Sequence, residues 1–479
     1  MPPPGGPLIG SGMKLMIAEA AIEADMEHRG FRHFGDGLFK ESGSNGNDSA
    51  PVVWQVLIRD GSVEIDMLYG SDSNSSVPSP ADYAYLQADV FDRWPQEIDD
   101  AFAHWEDFPE ASGLEAELSG VIRGASEIRV DEDSSGLTAE GSTRNTRLVS
   151  DIDNLKGRGR FLNGLYAEAF IDNYVSKLEP TLANLHGLTM VAGIACKGEA
   201  ELFSRTRTQL GQLCNDAHMA MKSSGPRGGD STGLRFALII VGAIAAGVGI
   251  VSTAGLATVP TAALVGGALT STGAGAAGGV LGLLDQPETP EDLPLGAGHP
   301  DDVLANLLAA LEQLNSSFKN EERNLERFLE AAAGDAAPDP DGNAFDIETP
   351  DVVGGTGQDV LETQQDELHV DDATIARITE LWIPSINGDI RAACAALDAP
   401  TYAWQRPATI GIGSGVGPHG AYRDFLEALK DRMLDVEREL QGAADSLQAA
   451  AALIGLSDEQ TNQQFAAEAA EIERVNDNA

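Results

Sequence analysis

The residues able to do chemistry are few and scattered. Gly415-Val416-Gly417-Pro418-His419-Gly420 matches the G-x-G-x-x-G pattern whose amides cradle a pyrophosphate at the start of a helix. No βαβ unit surrounds it and Pro418 removes one of the amides, so a flexible connector is expected there, not a dinucleotide site. Asp339-Pro340-Asp341-Gly342-Asn343 opens like a calcium loop, yet Ala344 stands at the turn-glycine position and Pro350 at that of the bidentate glutamate. Weak calcium binding is the most it could offer. The eight histidines form no metal-site spacing with Cys or Glu, and neither H-E-x-x-H nor a Walker lysine occurs. Trp94, Trp105 and Trp382 lie on helical faces and read as core anchors before ligand platforms. No catalytic, cofactor or metal residue is therefore assigned. An enzyme survives only as a toxin or hydrolase whose site carries no recognisable motif.

Cys196, Cys214 and Cys394 are too few and too far apart for a disulfide framework. If Cys196 and Cys214 share a helix, 18 residues separate them by about 27 Å, so they cannot pair and read as small buried side chains. Seventy-five acidic against 31 basic residues give a net charge of −44. That charge repels nucleic acid and anionic headgroups, so no nucleic-acid partner is expected and any membrane contact must be hydrophobic. The opening Met-Pro-Pro-Pro-Gly-Gly lacks a basic n-region, and Glu19, Glu23 and Asp25 interrupt Met13 to Met26. Export by the general secretory route is not expected.

The chain is organised around residues 236–284, 49 consecutive positions without Asp, Glu, Lys, Arg or His. Phe236 to Val259, centred near Ile244, is apolar on every face and long enough for a membrane helix of about 20 residues. After Pro260 the run softens, with Gly275 and Gly279 among Ala, Ser and Thr. Small residues recur four apart, as at Ala245 and Gly249 or Gly275 and Gly279, a spacing that lets helix backbones approach closely. A tight apolar helical hairpin turning at Pro260 is expected over 234–284, meeting or crossing a membrane. The alternative is that it forms the buried centre of a soluble helical protein.

Around it the pattern is mainly α. Residues 1–80 read as a short amphipathic helix (Lys14 to His28) and a small β-hairpin, Val52–Ile58 and Val63–Tyr69, turning at Asp60-Gly61. Residues 81–222 read as a helical module with Phe91, Trp94, Ile98, Phe102 and Trp105 at spacings of three and four, and a later helix with a kink at Pro180. Pro287 to Pro300 reads as a Pro-rich acidic linker. A helix over 301–333 follows, its apolar seam from Leu304 to Phe328 missing one beat at Glu321. Residues 334–372 read as an acidic linker: from Ala331 to Asp372 twelve acidic residues meet no Lys or Arg, so a disordered tether is expected. Residues 373–475 read as a helical hairpin. Ile375, Ile378, Trp382, Ile386 and Ile390 share one face, and Leu426, Leu429, Met433, Val436, Leu440, Ala443, Leu447, Ala450 and Ile454 form a helix–helix seam. Ser457-Asp458-Glu459-Gln460 has the form of a capping box starting a short final helix.

Leu162-Asn163-Gly164 precedes a helix carrying Ala167, Phe170, Tyr174 and Leu178. This resembles the Trp-x-Gly family of helical hairpins exported by type VII secretion in actinobacteria, with Leu162 at the Trp position and Gly164, Ala167, Phe170, Tyr174 and Leu178 matching. The resemblance implies export by a non-Sec route or residence in the cell envelope, and a small helical partner or self-association. The expectation is a non-enzymatic secreted or envelope-associated helical protein with tandem helical-hairpin or bundle modules. An integral membrane scaffold, or a pore-forming effector needing no catalysis, stands beside it.

Overall fold

The computed structural model describes residues 11–33, 38–41, 54–59, 62–66, 84–130, 143–159, 170, 174–226, 234–238, 291–336, 372–398 and 400–476. The architecture is mainly α, with a small antiparallel sheet. Helix α1 (Ser11–His28) leads into β1 (Phe31–His33), β2 (Leu38–Glu41), β3 (Trp54–Arg59) and β4 (Ser62–Asp66), which pair in that order. The expected hairpin is thus half of a four-stranded sheet. Arg59 lies opposite Ser62, leaving Asp60-Gly61 as the two residues between the strands. The sheet leans on helix through Phe39, whose ring lies 6.3 Å from that of Phe91.

A wide helical turn (Gln87–Asp92) runs into α2 (Arg93–Phe102), and α3 (Ser112–Glu127) and α4 (Thr146–Gly159) follow. Next comes α5 (Ser176–Ser223), 48 residues and about 72 Å long. Pro180 lies inside it, one turn past its start, and the helix continues through it. Cys196 and Cys214 are both buried on α5 and both free. Strands β5 (Arg235–Leu238) and β6 (Glu291–Pro294) pair antiparallel, and α6 (Pro300–Ala336) starts directly after them. A helical run from Asp372 ends in α7 (Ile383–Ala396), and α8 (His419–Asn476) closes the described chain.

Helix α1 was expected to be amphipathic, with one face buried. It is instead central, because α2, α5, α6 and β1 all pack on it. Its one buried carboxylate is satisfied: Asp25 accepts from Trp94 Nε1 at 3.0 Å and from Arg29 Nε at 2.8 Å. Helix α3 lies against α5 and α7. Gly124 makes the α3–α7 approach possible, since a Cβ there would sit 3.1 Å from the Ala393 carbonyl oxygen. Phe108 packs edge-on against Phe203 of α5 and Phe318 of α6, with centroids 5.4 and 5.6 Å away. One continuous hydrophobic core runs through all these helices.

Both C-terminal apolar faces are buried as expected, Ile375 to Ile390 and Leu426 to Leu447. Four expectations fail. Helix α8 runs unbroken through Ser457-Asp458-Glu459-Gln460, so that tetrad caps nothing. Its pattern suits a helix interior equally well, and no Pro stops the chain there. The Pro287–Pro300 linker contains β6. Helix α6 reaches Ala336, which is buried, so the acidic segment cannot begin at 331. Residues 337–371 lie outside the described residues. Phe236 to Leu238, assigned to a helical hairpin, form a strand, because Arg235-Phe236-Ala237-Leu238 alternates exposed and buried and finds a partner in Glu291–Pro294. A hydropathy window merges that short alternation with the apolar run beyond it.

Candidate functional site

Two places gather side chains that the bundle does not need merely for packing. The first is the neck from which the apolar stretch leaves. Register pairs Leu238 with Glu291 and Arg235 with Pro294, and the Leu295 and Gly296 amides donate to the Leu234 carbonyl at 3.0 and 3.1 Å. Phe236 and Leu238 point into the core. Beneath this ribbon, His28 Nε2 lies 2.8 Å from the Ser224 carbonyl oxygen and 3.0 Å from that of Gly298. Only an Nε2–H tautomer can donate to these oxygens. One side chain of α1 thus ties the end of α5 to the turn before α6. The His299 ring sits 4.5 Å from the His28 ring.

The second is a polar cluster in the centre of the bundle. Arg406, Glu199 of α5 and Glu322 of α6 have fully buried side chains. Arg406 is ion-paired with Glu322 and stands 3.7 Å from Glu199 Oε1. The guanidinium donates to the carbonyls of Trp404 (3.2 Å), Ile410 (3.2 Å) and Ile412 (3.3 Å) and lies 5.4 Å from the centre of the Phe318 ring. Glu322 Oε2 accepts from the Ile412 amide at 2.6 Å. Residues 405–418 therefore wrap a cation, where a flexible connector was expected. Gly411 and Gly417 have positive φ, and a Cβ at either would overlap Arg406 and Glu322. Two of the three glycines that suggested phosphate binding, Gly415 and Gly417, instead join Gly411 and Gly413 in supplying the left-handed turns of this wrap.

Burial pushes the Glu322 carboxyl up to about 9, with the Glu199 charge adding and Arg406 and the Ile412 amide opposing. Burial likewise raises Glu199 to about 7 against the pull of Arg406. Beside them, Glu117 of α3 accepts from Trp404 Nε1 at 3.1 Å, and Cys196 lies 3.0 Å from the Tyr422 hydroxyl. Burial raises Glu117 to about 7, outweighing its hydrogen bonds from Trp404 and Tyr422. Burial also holds the Cys196 thiol and the Tyr422 phenol well above their usual ranges, so neither is an ionised nucleophile. With its acids and its cation sealed from water, the cluster holds charge and protons and offers no face to a substrate.

Sequence reasoning missed this cluster, although one signal pointed to it. The seam of α6 breaks at Glu321, which is buried, and the next residue is Glu322. Of the residues singled out from sequence, Phe170 and Tyr174 are buried with rings 6.0 Å apart, as helix-core positions. Leu162, Asn163 and Gly164 lie outside the described residues, as do Ile244, Gly249, Pro260, Gly275 and Gly279. Phe236 belongs to the neck. Among the described residues no group of His, Cys, Asp and Glu is placed to hold a metal, and no helix is long and apolar enough to cross a membrane. Comparison with known proteins finds no matching family model, no similar curated protein and no similar solved structure.

Proposed function

We propose that this chain is a non-enzymatic helical protein that contacts or inserts into a membrane through its uncharged apolar stretch, now bounded to residues 239–284. The observation that carries the reading is the β5–β6 pairing. Leu238 and Glu291 are register partners, so the chain leaves the helical body and returns to it at one point. An apolar arm rooted at both ends in a paired neck presents a hairpin whose flanks stay on one side of a bilayer. A single span would place them on opposite sides. The net charge of −44 restricts that contact to hydrophobic burial.

Export by a type VII route, or residence in the envelope, with a small helical partner or a second copy, rests on the resemblance around Gly164, Phe170 and Tyr174. Phe170 and Tyr174 are both buried, with rings 6.0 Å apart.

Flotation on uncharged phosphatidylcholine vesicles tests the membrane reading. Wild-type protein should float. Ile244→Arg places a charge near the middle of the stronger half and costs about 2.5–3.5 kcal/mol on the insertion scale, so it should release most of the bound protein. Thr270→Arg should release as much if both halves enter the bilayer and less if only the first does. Wild-type protein that stays in the aqueous fraction, with Ile244→Arg lowering its Tm, would instead place the stretch in a soluble core.

A further inference from the structure

We propose that Glu199, Glu322 and Arg406 form a one-proton latch that fastens residues 405–418 to the bundle and lets go when that proton is lost. Two carboxyls and one guanidinium share a site with no exposed side-chain surface. Both carboxyls ionised would leave a net buried charge of −1, which the interior penalises strongly. One proton makes the site neutral. The geometry says where that proton belongs: no N–H or hydroxyl group within hydrogen-bond distance donates to either oxygen of Glu199. A proton carried by one of the two carboxyls and donated to the other satisfies both acids, because Glu199 and Glu322 lie close enough to interact directly. Like-charged carboxyls that cannot both ionise behave as a pair and hold their last proton above the ordinary carboxylate range.

The proton is coupled to structure because Glu322 also holds the connector. Its Oε2 accepts from the Ile412 amide, and its partner Arg406 braces three connector carbonyls. Deprotonation leaves a surplus buried anion that must reach water. Residues 405–418 have no helical ladder of their own, so they can yield while α5 and α6 cannot. Arg406 and Glu199 are the charged groups acting on Glu322. Glu117 and Tyr422 form the adjoining cluster, next to Cys196. A carboxyl raised in the folded state contributes stability that is complete at acid pH and is lost as pH rises through its folded value. The latch therefore opens toward alkaline pH, with its window between about 4.5 and about 9. It lies wholly in the helical body and holds whether or not residues 239–284 meet a lipid.

The test compares full-length wild type with Glu322→Gln, whose amide reproduces the protonated acid but cannot titrate, and with Glu199→Gln as a second variant. Urea unfolding is measured from pH 5 to pH 9, together with amide exchange at Ile412 corrected for the intrinsic rate. The expected result is that the wild-type folding constant, divided by that of Glu322→Gln, falls by up to about tenfold per pH unit across the window. Ile412 protection should fall with pH in wild type and stay level in both variants. Protonated-carboxyl absorption in the infrared gives an independent readout in a Glu117→Gln background: it should be present at pH 7 and lost when Glu322→Gln is added. Parallel pH profiles for wild type and both variants, or no such absorption at pH 7, would overturn the latch.

Discussion

Replacing Phe318 with Leu tests whether the aromatic triad and the buried cation act as one unit. Phe318 is fully buried between Phe108, edge-on at 5.6 Å, and Phe203, stacked at 6.2 Å, while its ring faces the Arg406 guanidinium at 5.4 Å. Leucine keeps most of the volume, so the transfer and cavity costs stay small. What it removes is the ring quadrupole. Each aromatic pair is worth about 0.5–1.5 kcal/mol beyond area, and a desolvated cation–π contact about 1–2 kcal/mol. Phe318→Leu should therefore cost about 2–5 kcal/mol. Phe328→Leu is the control, at a buried position on the same helix with no ring packed against it among the described residues. It should cost less than about 1.5 kcal/mol. Urea unfolding at pH 6 measures both, and a double-mutant cycle with Phe203→Leu isolates one pair, expected at about 0.5–1.5 kcal/mol. Equal losses at Phe318 and Phe328 would refute the reasoning, because burial alone would then account for Phe318.

Three further outcomes follow from the same structure. On α8, Leu440→Ala in the buried seam should cost about 2–5 kcal/mol, whereas Leu434→Ala, on the exposed side, should stay within about 0.5 kcal/mol in urea melts. His28→Ala removes the tie between Ser224 and Gly298, so amide exchange at Leu295 and Gly296 should speed up while the Leu429 amide on α8 is unaffected. Glu117→Gln should lose part of the pH dependence: the raised wild-type carboxyl stabilises the fold fully at acid pH and loses at most about 3 kcal/mol as pH rises from about 4.5 through about 7, a fall present in thermal melts of Glu322→Gln and absent when Glu117→Gln is added to it.

What could be read directly from sequence was whatever neighbours in the chain encode. The α8 seam from Leu426 to Leu447 and the face from Ile375 to Ile390 each repeat a period within a few residues and are buried as expected, and the two strands flanking Asp60-Gly61 pair with each other. The neck did not show itself, because β5 and β6 are four residues each and meet across the long run between Leu238 and Glu291. The latch did not either: Glu199, Glu322 and Arg406 come from three separate elements, and nothing local to any of them announces the others. The only Lys or Arg between Ala399 and Gly420 is Arg406, and an acid breaks the α6 seam at Glu321. Both are traces of a buried ion cluster, but pairing them requires the fold. The Ser457 tetrad shows the converse, a sound local signal with no helix end to cap.

Hydrophobic photolabelling tests the central claim most directly. Full-length protein bound to phosphatidylcholine vesicles carrying a lipid-phase carbene reagent is irradiated, digested and mapped by mass. Label should concentrate in peptides from residues 239–284 and be absent from α5, α6 and α8. Label spread over those helices, or missing from 239–284 in vesicle-bound protein, would contradict the account.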